Sequence, residues 1–254
     1  MDLLVHVWPL TVVLLVFALI NFIISLVLKR NDIADVSWGL GFILVSGYLL
    51  LSSDSSKALI ICSGLVILWA LRISIYIAIR NSKKSEDFRY KQWREEWGST
   101  FLWRSFLQIY VLQMLILLII STPLILLALN QVSVNFNLLT WLFILIWTIG
   151  FLWQSVADYQ LYTFKRKNKG KVMKYGLWKY SRHPNYFGEM VMWWSIFLLA
   201  WNFGAPIYAV VSPLLITYLL FNVSGVPMLE KKYQENEEYQ AYVDSTPAIF
   251  PKLF

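Results

Sequence analysis

Long apolar runs separated by short polar segments constrain this chain more than any other feature of its sequence. Of the 254 residues, 58% are hydrophobic and only 15% are charged. A water-soluble domain of this size could not cover that many apolar side chains, because its surface would remain largely apolar. We therefore predict an all-α fold, a polytopic integral membrane bundle of helices in contact with the lipid bilayer.

Seven runs are candidates for helices that cross the bilayer, whose apolar core requires about 20 residues of helix. They are residues 5–28, 35–53, 57–79, 103–129, 137–163, 187–202 and 204–224. The last two are short and are separated only by residues 202–206, which contain Gly204 and Pro206. A helical hairpin at this point gives seven crossings, whereas a re-entrant segment gives six.

Lysine and arginine are concentrated in alternate loops. The loop after the third run carries Arg80, Lys83, Lys84, Arg89, Lys91 and Arg94, and the loop after the fifth run carries Lys165, Arg166, Lys167, Lys169, Lys171, Lys174, Lys179 and Arg182. Because basic loops remain in the cytoplasm, we predict an outer N-terminus and a cytoplasmic C-terminus. The net charge of +7 then reflects orientation and contact with anionic headgroups, and we predict no nucleic-acid partner.

Ionisable side chains stand inside or beside the apolar runs, near the predicted cytoplasmic ends: Asp35, Arg72, Asp158 and Glu189. A charge in the hydrocarbon region is costly unless it is paired or solvated. We therefore expect these side chains to converge on one cavity that opens to the cytoplasm. Simpler interpretations exist for two of them, since Asp35 could cap its helix and Arg72 could extend to the headgroups.

Helical spacing sharpens this expectation. Gln154 and Asp158 are four residues apart, as are Asn185 and Glu189, so each pair shares one face of a helix. For Asp158, Asn185 and Glu189 we favour a functional role, because capping alone does not require all three.

The segment from Tyr180 to Glu189 also suggests an anion site. Pro184 suits the first turn of a helix, and the free N–H groups of a helix start beside Arg182 and His183 favour a negative charge. The sequence contains no glycine-rich phosphate motif and no Cys/His cluster with metal spacing. We therefore predict a site built from side chains of several helices, and no metal.

Several segments carry a resemblance to a known group of proteins: ADVSWGLGF, EDFRYKQWREEWG, GLWKYSRHPNYFGE and SGVPMLEKKYQENEEYQAYVDSTPAIFP. Together they resemble bacterial membrane proteins with a steroid 5-alpha-reductase C-terminal-like domain, whose superfamily also includes C14 sterol reductases and isoprenylcysteine carboxyl methyltransferases. The resemblance covers nearly the whole chain, and it implies that residues 1–254 form a single integral membrane domain. It is most specific over residues 100–254, with a cytoplasmic loop 165–184 and a tail 229–254, and it implies a multi-pass protein of the bacterial inner membrane.

The resemblance to the reductases implies NADPH-dependent reduction of a lipophilic enone or alkene, in lipid metabolism. Carried over by motif, it implies a role for Asp35 at the substrate, and cofactor contacts from Gln154, Asp158, Lys165, Asn185, Glu189 and Tyr233. Together with the positions of the charges and the predicted anion site, this leads us to predict catalytic roles for Asp35, Arg72 and Glu189, and further cofactor contacts from Tyr180, Arg182 and His183. Lys165 stands where the steroid enzymes carry Arg, and Trp69 falls where they carry a catalytic Tyr. Because an indole is only a hydrogen-bond donor, the proton donor is left unassigned.

Two alternatives remain open. The Arg-His-Pro-x-Tyr stretch at residues 182–186 and the tail tyrosines Tyr239 and Tyr242 also resemble membrane methyltransferases that use S-adenosylmethionine. The cations of the loop favour NADPH, because its phosphates need positive charge whereas a sulfonium needs acceptors and aromatic faces. The second alternative is a non-catalytic, lipid-binding membrane protein with a degenerate site.

Overall fold

The computed structural model describes residues 2–82, 84–130 and 136–252, and for residues 2–6 and Lys232 it describes the backbone only. Lys83 and residues 131–135, which belong to predicted loops, lie outside the described residues, as do residues 253–254 of the predicted tail. Within the described ranges every regular element is helical. The predicted all-α class is therefore confirmed.

The helices follow one another along the chain as α1 (Asp2–Leu28), α2 (Ile33–Ser52), α3 (Lys57–Ser82), α4 (Phe88–Trp97), α5 (Phe101–Arg104), α6 (Leu112–Ile120), α7 (Thr122–Leu129), α8 (Leu138–Lys167), α9 (Pro184–Asn202), α10 (Val211–Tyr218), α11 (Val226–Lys232) and α12 (Glu237–Ser245). Short 3-10 and π-helical turns continue several of them, including the π-helical stretch Ser105–Val111 between α5 and α6.

Six helical stretches in the described chain are long and apolar enough to cross a membrane: Val7–Leu28, Ile33–Ser52, Lys57–Ser82, Phe88–Ile120, Leu138–Lys167 and Ile207–Lys231. The protein is thus a multi-pass membrane protein. α9, predicted as the sixth of seven crossings, forms a helix of 19 residues but is not among these six. The orientation of the termini stays a prediction.

The fourth apolar stretch begins earlier than predicted. The sequence suggested residues 103–129, whereas the helical stretch runs from Phe88 to Ile120 and takes in part of the predicted basic loop. Asp87 starts α4 by accepting a hydrogen bond from the N–H of Arg89 at 3.1 Å. A search for apolar runs misses α4 because its many charged side chains interrupt the run of apolar residues.

The chain separates into two compact units, Met1–Asn135 with Phe203–Pro206 and Phe136–Asn202 with Ile207–Phe254. In the first unit α2 and α3 pack closely, since a Cβ on Gly39 would lie 2.6 Å from the carbonyl oxygen of Ala70. Phe42 and Trp69 meet edge to face beside that contact, with ring centroids 5.4 Å apart. Trp69 is therefore a core residue.

The second unit is built on the antiparallel pair α8 and α9. Asn137 starts α8 with a capping box that includes Thr140. Asn202, the last residue of α9, donates to the Thr140 hydroxyl at 3.0 Å. These contacts tie the beginning of α8 to the end of α9, so the polar residues farther along α8 face the first turns of α9.

Candidate functional site

Two amide–carboxylate hydrogen bonds join α8 to α9. Gln154 Nε2 donates to Glu189 Oε2 at 3.0 Å, and Asn185 Nδ2 donates to Asp158 Oδ1 at 3.2 Å. Because the helices are antiparallel and both spacings are four residues, the two bonds lie one helical turn apart. We call Gln154, Asp158, Asn185 and Glu189 the α8–α9 polar cluster.

The cluster is largely sealed from water. Gln154 and Asp158 are 1% and 3% exposed, and Glu189 is 9% exposed. A buried carboxylate is costly unless donors surround it, which explains why each acid faces an amide. The structure thus brings together four of the side chains that the sequence singled out.

One polar atom of the cluster has no hydrogen bond within the described chain. Asn185 Oδ1 is buried and lacks a partner there, while the Nδ2 group of the same side chain binds Asp158. A buried carbonyl without a donor is unfavourable, and such atoms are rare in folded proteins. An N–H or O–H group of a ligand would complete its hydrogen bonding.

Two glycines allow the helices to approach this closely. A Cβ on Gly188 would lie 2.6 Å from Gly150 O, and a Cβ on Gly150 would lie 2.9 Å from Gly188 O. Any larger residue at either position would push the helix backbones apart. The glycine at position 188, next to Glu189, therefore sets the distance over which Gln154 reaches that carboxylate.

Arg182, predicted to hold phosphates, turns its donors toward the C-terminal region. Its Nε and Nη2 lie 2.8 Å and 2.7 Å from Glu230 Oε1. Its Nη1 donates to the carbonyls of Val243, at 3.0 Å, and Thr246. The guanidinium thus serves contacts within the protein, and this partner could not be read from sequence spacing.

His183 lies in the same cluster of charges and is 3% exposed. Its ring stacks on Tyr186 with centroids 5.1 Å apart, and its Nε2 is 3.6 Å from Glu230 Oε1. Burial lowers the pKa of His183, and this effect outweighs the rise caused by the Glu230 carboxylate. The imidazole is therefore neutral at pH 7 and adds no positive charge to the start of α9.

The remaining predicted cofactor residues of the second unit lie at the end of α8, in the loop after it and in the tail. Lys165 is exposed in the last turn of α8. The carbonyl of Tyr180 accepts a hydrogen bond from the N–H of Lys252 at 3.0 Å. The ring of Tyr233 lies 5.0 Å from that of Tyr239.

A separate polar group surrounds Asp35 in the first unit. Asp35 Oδ2 accepts a hydrogen bond from Arg89 Nη2 at 2.7 Å, and Asp35 Oδ1 accepts one from the hydroxyl of Tyr90, also at 2.7 Å. Arg80 Nη2 lies 3.8 Å from Oδ2. Asp35 is therefore more than a helix cap, because its two oxygens bind two different side chains of α4.

Sequence reasoning assigned no site role to Arg89 or Tyr90. The signal was present in the stretch Asp87-Phe88-Arg89-Tyr90, where Asp87 is a good N-cap for a helix that would present both side chains. Arg72, the other predicted catalytic residue of this unit, is partly buried on α3.

Comparison with known proteins gives one family. Residues 21–246 match the family described as "Protein of unknown function (DUF1295)". No curated protein and no solved structure matches the chain.

Proposed function

We propose that this chain, which belongs to the DUF1295 family, is a membrane-embedded NADPH-dependent reductase of a lipophilic enone or alkene. The observation that carries the proposal is the α8–α9 polar cluster, in which the buried Asn185 Oδ1 has no hydrogen-bond partner among the described residues. The proposal includes membership of the steroid 5-alpha-reductase-like superfamily and location in the bacterial inner membrane. Both rest on the motifs of the sequence, above all Asn185, Gly188 and Glu189 in their Asn-x-x-Gly-Glu spacing.

The residues of the cluster fit the nicotinamide–ribose end of a dinucleotide. Asn185 Oδ1 would accept an N–H of a carboxamide, and the carboxylates of Asp158 and Glu189 would accept ribose hydroxyls. The exposed cations at the end of α8 and in the loop after it, among them Lys165, Arg166 and Lys169, suit phosphates. Arg182 does not fit this role, because Glu230 and two carbonyls already take its donors.

When bound, the dinucleotide supplies a hydride to the β-carbon of the acceptor. The chain's own part is to orient the reacting groups and to exclude water. Both roles suit a cluster held between helices whose backbones touch at Gly150 and Gly188. The rigid contact fixes the positions of the amides and carboxylates before a ligand arrives.

One observation favours the methyltransferase as the second candidate. The guanidinium of Arg182 is paired with Glu230, and the neighbouring His183 is neutral. Both facts weaken the positive electrostatic potential at the start of α9. Beside these two side chains lie the rings of Tyr233, Tyr239 and Tyr242, which pack in tilted and edge-to-face contacts with neighbouring centroids 5.0 and 6.0 Å apart. Aromatic faces and carboxylates are what a sulfonium requires.

Ligand binding to the full-length protein in lipid nanodiscs tests the proposal. On binding, NADPH should raise the melting temperature of the protein, and the fluorescence of NADPH itself should change. S-adenosylmethionine should leave the melting temperature unchanged. Asn185→Ala and Glu189→Gln should each weaken NADPH binding by about 1–3 kcal/mol, the cost of a lost buried hydrogen bond. Asn222→Ala, which alters an exposed amide that binds its own helix, is the matched control.

The other outcomes assign the alternatives. Stabilisation by S-adenosylmethionine alone would replace the reductase by the methyltransferase. Absence of any effect from either compound, with wild-type behaviour of both cluster variants, would leave a lipid-binding protein without catalysis.

A further inference from the structure

The chain after α12 is fastened to the residues immediately before α9. The backbone N–H groups of Arg182 and His183 donate to the carbonyls of Pro247 and Ala248, each at 2.9 Å. We call residues 247–252 the C-terminal strap. Its backbone is hydrogen-bonded along the segment that leads directly into the α8–α9 polar cluster.

Side chains reinforce this attachment. Ser181 is fully buried, and its hydroxyl lies 2.8 Å from Ile249 O and 3.2 Å from Ala248 O. Ile249 is itself 1% exposed. The strap therefore occupies a defined position in the second unit, which a merely solvated tail would not have.

Tyr242, on α12, stands where the strap, the loop and α8 meet. Its hydroxyl is within hydrogen-bonding distance of the carbonyls of Trp178 and Ser181, the latter at 3.2 Å. The indole Nε1 of Trp178 in turn donates to Ala157 O on α8 at 3.0 Å. One buried hydroxyl thus links α12 to α8 through Trp178 and to the start of α9 through Ser181.

The hydrogen bonds of Tyr242 and Trp178 end next to the two residues that form one hydrogen bond of the α8–α9 polar cluster, Asp158 and Asn185. Ala157 immediately precedes Asp158, and Ser181 is four residues before Asn185. The separation of these two backbone segments sets the 3.2 Å distance between Asn185 Nδ2 and Asp158 Oδ1. If the hydroxyl of Tyr242 were absent, the carbonyls of Trp178 and Ser181 would lose a donor in a dry environment, and both segments would be free to shift.

We infer that Tyr242 is a positioning residue of the α8–α9 site, and that the C-terminal strap is a built part of this site. Tyr242 acts through Trp178 and Ser181 on the geometry of Asp158 and Asn185. The inference deepens the proposed function and rests on it for the identity of the ligand, NADPH.

Tyr242→Phe tests the inference, because it removes only the hydroxyl and keeps the ring beside Tyr239 and Val172. In nanodiscs, well below the melting temperature, the Kd for NADPH should rise about tenfold, which corresponds to about 1.4 kcal/mol. Tyr159→Phe removes a hydroxyl from a side chain that is 69% exposed and should leave the Kd unchanged.

A double-mutant cycle with Asn185→Ala separates positioning from general stability. If Tyr242 acts through Asn185, the double variant should bind NADPH as weakly as Asn185→Ala alone, because the two losses are not additive. Additive losses, or an unchanged Kd in Tyr242→Phe, would overturn the inference. If Tyr242→Phe does not fold, Ser181→Ala takes its place in the same cycle.

Amide hydrogen exchange distinguishes failure of this inference from failure of the proposed function. If the wild-type protein does not bind NADPH, Tyr242→Phe should still accelerate exchange over residues 180–187 more than in the rest of the second unit, and the positioning role stands without the cofactor assignment. Unchanged exchange there would remove the positioning role as well.

Discussion

The backbone of Gly188 lies so close to that of Gly150 that a Cβ on Gly188 would sit 2.6 Å from Gly150 O. No real side chain tolerates this distance, so α8 and α9 cross in contact only because both positions are glycine. The same crossing places Gln154 and Glu189 within hydrogen-bonding distance. Helix packing and the polar cluster are therefore one feature, and a change in one must alter the other.

Gly188→Ala should lower the free energy of unfolding by about 1–3 kcal/mol, because the added methyl group forces the helices apart. NADPH affinity should fall with it, since Gln154 would no longer reach Glu189. Gly47→Ala is the control, because a Cβ there meets nothing within 4 Å. That variant should be neutral or more stable by about 0.5–1 kcal/mol. Equal stability of the two variants, measured by denaturant titration, would contradict the close crossing.

Gln154→Leu should destabilise the protein by about 1–3 kcal/mol, because it removes the amide that donates to the buried carboxylate of Glu189. Gln92→Leu offers a matched comparison, since Gln92 Nε2 donates to Glu96 Oε1 at 2.6 Å on an exposed face of α4. That exposed bond should contribute little, because water replaces it. A similar loss in both variants would show that burial does not set the strength of the first bond.

Acidification should destabilise the protein through His183. Its pKa in the folded state is lowered by burial, so between the folded pKa and the ordinary value of about 6.5 the unfolded chain binds more protons. Stability should therefore fall as the pH decreases below about 6.5, by at most about 1.4 kcal/mol per pH unit for one proton. Melting temperatures measured between pH 7.5 and pH 5 would show this decline.

The groups that face His183 are Glu230, Arg182 and the ring of Tyr186. His183→Asn keeps a polar side chain that cannot gain a proton, so its stability should change less over the same pH range. His6 is present in both proteins and cancels in the difference. Parallel pH profiles for wild type and variant would exclude His183 as the source of the decline.

Glu230→Gln should lower the melting temperature, because it breaks the ion pair with Arg182, whose side chain is only 10% exposed. The lost charged hydrogen bonds are each typically worth about 1.5–3 kcal/mol, reduced here because Glu230 is 25% exposed. Glu238→Gln breaks an exposed pair with Lys174 at 2.8 Å and should change the melting temperature little. Raising the salt concentration should weaken the second pair more than the first.

The sequence located the polar residues of the site but not their partners. The spacing of 154 with 158 and of 185 with 189 predicted shared helical faces, and the structure joins these faces in antiparallel order. The interpretation of Arg182 as a phosphate ligand followed from its place before a helix. Its contact with Glu230, 48 residues away, is set by the path of the tail and leaves no local signal.

In the first unit, too, the sequence located a polar residue but not its partners. Asp35 was singled out because a carboxylate beside an apolar run needs a partner. The partners Arg89 and Tyr90 lie 54 and 55 residues farther along, on a helix that hydropathy had assigned to a loop. Trp69 falls where the resemblance implies a catalytic tyrosine, and it is 2% exposed and packs against Phe42.

Composition and the length of the apolar runs determined by themselves that this is a multi-pass, all-helical membrane protein, because a bilayer accepts few other structures for such a chain. Tertiary structure alone decided which polar groups meet. Hydrogen bonds such as that from Tyr242 to Ser181 act over about 3 Å in space and 61 residues in sequence. The spacing of residues along the sequence determines which side chains share a face of a helix. Which residues that face contacts depends on close packing between helices, such as the contact at the α-carbon of Gly188.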